Sequence, residues 1–348
     1  MEQQNTNNPI LVERYRGTVL ESFHRGTVCL VDADNKVLFS VGDIHQVCFP
    51  RSALKLFQIL PLLESKGVEK FGFTTEEIAI MCGSHNGEKE HQRVVNSILS
   101  KIGVDKSKLH CGAQYPTLNE DRNELIKQDK APEDIHNNCS GKHAGFLAYC
   151  VLHGLDLDSY MQPNHPLQVT IKKITAEMHE YPEEQIQTAM DGCSAPIFSL
   201  PVYNQAIGYK NITNPEKFGA KRAESCHKVI EAVTSYPFMI GGHKRYCTEM
   251  MHLCGSRIFG KTGADGIYSI GFIQEKMGCT IKIDDGLMGP QYAVAQELIE
   301  KSHIFGKEKL APLYNYIESP ITNWNKFTTG VQKVNETALE GFPKLGNA

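Results

Sequence analysis

The sequence has no apolar run approaching the roughly 20 residues a helix needs to cross a bilayer and no tract of basic residues. Its formal net charge of −4 offers no general attraction to a polyanion. Neither a membrane nor a nucleic acid is therefore expected as a partner. The first residues, Met1 to Pro9, are polar and lack the charged-then-apolar pattern of an export signal, so export is not expected. No internal repeat and no low-complexity linker interrupts the chain. The eleven cysteines are odd in number and scattered, which excludes a dense disulfide framework. Cys29, Cys48, Cys150 and Cys279 sit among apolar residues and read as buried thiols in a reducing cytoplasm. Cys139 and Cys193 differ: both lie in Gly- and Ser-rich turns beside polar groups.

What remains is the composition of an ordinary globular enzyme. With 348 residues, 41% apolar and 22% charged, the chain can bury one extended core or two smaller ones. Thr27–Val31 and Val37–Val41 are strand-forming, and Asp32-Ala33-Asp34-Asn35 supplies a turn between them. Gly17 to Glu21 is a further strand candidate. From Ser52 the period becomes helical, with Leu56, Ile59, Leu60 and Leu63 on one face, and Pro61 is expected to kink or end the first helix. Helical texture runs to about Ser235, as in Lys89–Ile102 and Leu167–His179. Strand character returns at Arg257–Lys261, Ile267–Phe272 and Cys279–Ile283, and a helix is expected over Tyr292–Ser302. This order predicts an α+β fold, an antiparallel sheet from N- and C-terminal segments with a large helical insert. The expected domains are 10–50 with 240–348 for the sheet and 51–239 for the helices, with the active site between them. After Phe305 the pattern is weak, and Trp324 and Phe327 are the expected anchors of the tail.

Three short motifs suit one serine-nucleophile site: Ser52-Ala-Leu-Lys55 (SxxK), Ser84-His85-Asn86 (SxN) and Lys261-Thr262-Gly263 (KTG). Each is weak alone; in this order they point to the acyl-transfer chemistry of penicillin-recognising serine enzymes. Residues three apart at a helix start share a face, which places the Lys55 amine near the Ser52 hydroxyl. A protonated serine is a poor nucleophile, and a lysine whose pKa is lowered by a dry site can serve as its base. Ser84 can relay a proton to a leaving group, and Asn86 can offer donors and an acceptor to a polar substrate. Lys261 and Thr262 end a strand, flanked by Gly260 and Gly263, where a ligand can approach the backbone. Lys261 can hold a substrate carboxylate or tune Ser84. Arg51 can bind a carboxylate or face solvent.

A second cluster, Cys139-Ser140-Gly141-Lys142-His143 with Asp191-Gly192-Cys193, asks for another role. Two thiolates and a nitrogen can hold a borderline-soft ion such as zinc. His143 and Asp191 are alternatives as ligands or as groups that orient them. Two core thiols beside a helix start, or a cysteine nucleophile using His143, are the other readings of the same residues.

Taken together, these segments resemble the rhizobial-type bacterial L-asparaginases, over most of residues 10 to 330. They do not resemble the threonine-nucleophile asparaginases. Pro50-Arg51-Ser52-Ala53-Leu54-Lys55, Cys82-Gly83-Ser84-His85-Asn86-Gly87-Glu88 and Asn137-Asn138-Cys139-Ser140-Gly141-Lys142-His143 carry the resemblance, with Asp191-Gly192-Cys193 and Gly260-Lys261-Thr262-Gly263. It implies a fold like the serine β-lactamases and related glutaminases, and hydrolysis of L-asparagine to L-aspartate and ammonia. It implies Ser52 as nucleophile with Lys55 as its partner, Ser84 and Lys261 as a second serine–lysine pair, and zinc (Zn2+) on Cys139, Lys142 and Cys193. Arg51, Asn86, His143, Asp191 and Thr262 are the expected substrate-binding residues, with Arg51 for the α-carboxylate and Asp191 for the α-amino group. A homodimer is expected. Ala53 stands where the family often has a second serine. A serine β-lactamase- or glutaminase-like amidohydrolase and a noncatalytic amino-acid-binding protein are the alternatives. The motifs leave open which serine–lysine pair begins the reaction.

Overall fold

The computed structural model describes residues 7–346. The polar segment Met1–Thr6, on which the expectation about export partly rests, lies outside them. The chain divides into two compact units. One comprises residues up to Ala53, Leu200–Thr213 and Ser256 onward; the other comprises Leu54–Ser199 and Asn214–Gly255.

The first unit is built on an eight-stranded antiparallel sheet. Its strands are β1 (Ile10–Arg16), β2 (Val19–Val31), β3 (Val37–Val41), β4 (Ile258–Thr262), β5 (Ile267–Phe272), β6 (Met277–Ile283), β7 (Glu318–Thr322) and β8 (Thr328–Val334). The order is β7-β8-β1-β2-β6-β5-β4, with β3 also on β2. The sheet thus joins N- and C-terminal segments, as the pattern predicts. The turn expected at Asp32–Asn35 is present: the Asp32 carboxylate accepts from the backbone N–H groups of Asp34 and Lys36, both at 2.9 Å. In β5 every residue is buried, as in a sheet covered on both faces.

Strand register says what covers each face. Cys29 stands opposite Thr280, Thr280 opposite Ser269, and Ser269 opposite Lys261, so these four share a face. Cys29 and Val31 pack there against Val202, Ala206 and Ile207 of the helix Val202–Thr213. Thr262, Tyr268 and Ile281 share the opposite face. There the Tyr268 ring meets Tyr292 edge-on, 5.8 Å between centroids, in the helix Met288–Lys301. Successive residues of the KTG motif therefore point to different helices.

Two features of this unit depart from the sequence expectations. The tail after Phe305 contains β7 and β8, which extend the sheet beyond β1. Trp324 and Phe327 do not anchor it: they lie at the exposed turn between those strands, with Trp324 fully accessible. The tail is held instead by the ladder bonds of β7 and β8 and by buried Leu310, Leu313, Leu339 and Phe342, the last edge-on to Phe39.

The second unit is mainly helical. Its first helical segment is broken at Ile59 into α1 (Lys55–Gln58) and α2 (Leu60–Glu64), with Pro61 in the first turn of α2, as that proline predicts. It continues with α3 (Thr75–Met81), α4 (Lys89–Ile102), α5 (Ser140–His153), α6 (Pro166–His179) and α7 (Ala220–Ser235). Thr74 and Glu77 form a capping box that starts α3. Helix α3 packs against α4, α5 and α7, and its end delivers the chain to Ser84. Among the described residues, no helix is long and apolar enough to cross a membrane.

Candidate active site

In the helical unit, the end of α3 sets the position of Ser84. Gly83 allows the turn, because a Cβ there would lie 2.3 Å from the Met239 carbonyl oxygen. The following residues run extended against the segment after α7: Ser84 N–H donates to the Ile240 carbonyl at 2.8 Å, and Asn86 N–H to the Gly241 carbonyl at 2.9 Å. Lys55, at the start of α1, reaches this turn while 1% exposed. Its ammonium donates to Gly83 O at 2.5 Å, Ser84 Oγ at 3.0 Å and Asn138 O at 3.3 Å. A buried ammonium bonded to a serine hydroxyl can exchange a proton with it. The sequence reading pairs Ser84 with Lys261; the Lys55–Ser84 contact is an additional finding, invisible to motif spacing because 28 residues separate the two.

Asn86 is expected to bind substrate, yet each polar atom of its side chain has a protein partner. Its amide nitrogen donates to Glu88 Oε1 at 2.9 Å and to His243 O at 3.0 Å, and its Oδ1 accepts from Arg245 at 2.9 Å.

Beside Lys55 lies the thiol cluster. Asn138 O, an acceptor for Lys55, directly precedes Cys139 at the start of α5. Cys193 sits at the tip of a short hairpin, Thr188–Met190 against Pro196–Phe198, whose turn is closed by Asp191. Cys139, Lys142 and Cys193 are all buried. The Lys142 ammonium donates to Cys193 Sγ at 3.1 Å. The Cys139 thiol is within reach of both Asn138 Oδ1, at 2.9 Å, and the Cys193 sulfur, and can donate to one at a time. Donation from Cys139 holds the Cys193 thiol far below its ordinary range against the opposing effect of burial; Lys142 and His143 add to the lowering. The same contact, with burial, holds Cys139 well above its ordinary value. Burial would lower Lys142, but the neighbouring sulfurs outweigh it and keep the ammonium charged.

His143 is fully buried. Burial lowers its pKa despite contact with Cys193. Its Nδ1 lies 2.7 Å from the Tyr160 hydroxyl. Tyr160 carries no motif signal and escapes sequence reasoning. Among the described residues no three His, Cys, Asp or Glu side chains gather as a metal-binding group, so neither His143 nor Asp191 completes a set with the two cysteines. The remaining set, Cys139, Cys193 and Lys142, offers two sulfurs and a nitrogen, chemistry that zinc accepts once Lys142 gives up its proton.

In the sheet unit, Ser52 lies in the 3₁₀ turn Arg51–Leu54, three residues before Lys55 along the chain. Arg51 has a left-handed backbone, φ +52°, and its guanidinium pairs with the Asp265 carboxylate. Gly263 brings the KTG motif against this turn: a Cβ there would lie 2.3 Å from the Pro50 carbonyl oxygen. Lys261 is 1% exposed, with Nζ 3.0 Å from the Thr262 carbonyl oxygen. The Thr262 hydroxyl accepts from Gln291 at 2.6 Å and lies 3.1 Å from the Tyr292 hydroxyl. The turn carrying Arg51 and Ser52 and the KTG strand end are thus neighbours within one unit.

The profile of the L-asparaginase II family matches residues 12–334. No protein of curated function matches the sequence significantly. Among solved structures, a β-lactamase from Mycobacterium bovis shares 10% identity over 79% of this chain and 94% of its own, with a TM-score of 0.42. A putative β-lactamase from Bacteroides dorei shares 11% identity over 79% of this chain and 92% of its own, at 0.43. The protein Mglu, in its tris and glutamate form, shares 12% identity over 84% of this chain and 62% of its own, at 0.38.

Proposed function

The chain belongs to the L-asparaginase II family, and we propose that this amidohydrolase cleaves L-asparagine through a serine acyl-enzyme. The observation that carries the serine mechanism is the buried Lys55 ammonium at 3.0 Å from Ser84 Oγ, three residues after Ser52 in sequence. In this reading Ser52 Oγ attacks the side-chain amide carbon and its proton passes to Lys55, which must first lose a proton to act as base. Lys55 and Ser84 carry a proton to the departing nitrogen, which leaves as ammonia. Water then cleaves the aspartyl ester and releases L-aspartate. Lys261 is the fourth member of the proposed catalytic set. Arg51 and Asp191 are the proposed partners of the α-carboxylate and α-amino groups, with Thr262 and His143 as further polar contacts. Arg51 would then exchange its Asp265 partner for substrate.

Cys139, Lys142 and Cys193 are the proposed zinc ligands. A bound zinc ion supplies a fixed positive charge for ordering polar groups. The eleven cysteines are free thiols, which supports a reducing compartment, the proposed cytoplasm. A homodimer is proposed, and light scattering on the eluting protein tests it.

A second reading is favoured by the same contact: Ser84 attacks and Lys55 is its base. Ammonia release from L-asparagine, L-glutamine and a β-lactam control tests the substrate class. Rapid quenching with labelled asparagine, followed by peptide mapping, assigns the ester to Ser52 or Ser84. Absence of ammonia from asparagine overturns the reading.

A further inference from the structure

Glu88 is a buried carboxylate that the proposed reaction does not use. Its side chain is 7% exposed, yet it lies only four residues beyond Ser84. Both of its oxygens are engaged. Oε1 accepts from the Asn86 amide at 2.9 Å and from the His243 backbone N–H at 2.9 Å, and Oε2 meets His243 Nδ1 at 2.5 Å. Its backbone N–H donates to His91 Nδ1 at 3.1 Å, and the opposite nitrogen of that ring lies 3.0 Å from the Phe238 carbonyl oxygen. Asn86 is fixed further by Arg245 on Oδ1 and by Thr117 N–H, 2.8 Å from its carbonyl oxygen. Every tie from this carboxylate runs within the Ser84–His91 stretch or to the segment following α7, the segment that also accepts the backbone N–H groups of Ser84 and Asn86.

Burying an ionised carboxylate is costly unless its hydrogen bonds are satisfied. Here they are, and what they secure is a short extended stretch with no helix or sheet ladder of its own. They add to the ties that Ser84 makes to Ile240 and Lys55. Proton transfer is sensitive to misplacement of the reacting groups.

We propose that Glu88 is a positioning residue, clamping Asn86 and His243 so that the Ser84 hydroxyl stays within hydrogen-bond distance of the Lys55 ammonium. Asn86 is then part of the clamp. The kinetic consequence rests on the proposed role of Ser84; the geometric consequence does not. In Glu88→Gln the amide NH2 cannot accept as Oε2 does, so the turn should relax. With asparagine, kcat should fall about 10²-fold, the size expected of a misplaced catalytic group, while KM stays within about twofold. The same substitution placed on Ser84→Ala should change the residual rate less than about twofold, because its effect passes through a hydroxyl already removed. Equal losses in both backgrounds, or an unchanged kcat in folded Glu88→Gln, overturn the proposal.

A crystal structure of Glu88→Gln should show the Lys55–Ser84 separation opened past hydrogen-bond distance. An unchanged 3.0 Å overturns the clamp whatever the substrate. This geometric arm still decides if the wild type releases no ammonia from asparagine, a result that would instead overturn the function reading. Should Glu88→Gln fail to fold, His243→Ala removes an exposed ring from Oε2. Its kcat should fall about tenfold with KM unchanged, and no change in kcat overturns the proposal.

Discussion

Lys55 Nζ stands 3.0 Å from Ser84 Oγ and 2.5 Å from the Gly83 carbonyl oxygen, buried among helices of one unit. The nitrogen is therefore positioned to exchange a proton with a serine hydroxyl. Lys55→Met preserves length and removes that function. We expect activity to fall about 10³-fold or more, the upper range for a lost general acid–base group, with circular dichroism unchanged. Ser52→Ala should abolish burst-phase ammonia release. A full burst in folded Ser52→Ala would move the nucleophile to Ser84.

Glutamine should be the poorer substrate. One added methylene displaces the reacting amide from a clamped α-carboxylate, and discrimination at that level is about 10–200-fold. Measured kcat/KM values for the two amides test this, and equal values would remove the asparagine preference while leaving the amidohydrolase.

The parts of the fold that the sequence disclosed are those where side chains alternate or repeat. The hairpin around Asp32–Asn35 has strand formers on both sides and a carboxylate that closes its own turn. The helix Lys89–Ile102 has Val94, Val95, Ile98 and Leu99 buried on one face. β1, β7 and β8 lacked such a pattern: β1 buries Leu11 and Val12 and then runs Glu13-Arg14-Tyr15-Arg16. The helix Val202–Thr213 lies in a helical stretch yet belongs to the sheet unit, because Val202, Ala206 and Ile207 fit against Cys29 and Val31. At the site, motif order singled out Ser52, Lys55, Ser84 and the KTG strand end. It missed the Lys55–Ser84 bond, the Tyr160 hydroxyl on His143 and the partners of Asn86, since contacts across many residues leave no local spacing.

Zinc bound through Cys139, Cys193 and Lys142 must displace protons, so its affinity should weaken as pH falls. Protein purified without chelator should contain close to one zinc per chain by elemental analysis, and Cys193→Ala should contain almost none. Retention of zinc by Lys142→Ala would keep the metal and move its third ligand to His143 or Asp191. Zinc near zero in wild type grown with ample metal would leave the thiolate of Cys193 as an anion held by Lys142.

Trp324 is the chain's one tryptophan and is fully exposed. Its emission maximum should be that of a solvated indole and should barely move on unfolding. Trp324→Ala should alter stability by no more than about 0.5 kcal/mol, the ordinary range for surface substitutions. A clear red shift on denaturation would show that the ring is covered in solution, as a subunit contact would cover it.

Acid stability should depend on Glu77. Burial would raise this carboxyl, but Lys101 at 2.6 Å, the Thr74 N–H at 2.7 Å and Ser97 at 2.7 Å outweigh it, and its pKa is lowered. In the unfolded chain it titrates near the ordinary value of about 4.3. The sign follows: the folded state binds this proton less tightly, so the stabilisation is present above the unfolded pKa and disappears as pH falls through the folded one. Glu77→Gln keeps the shape of the capping box but removes the charge facing Lys101. Its loss should be about 2 kcal/mol near neutral pH, the range for hydrogen bonds to a charged group. Denaturant midpoints of wild type and Glu77→Gln should therefore converge as pH drops below about 4. A constant gap between the two from pH 7 down to pH 3 would show that the carboxylate charge at Glu77 does not stabilise the fold.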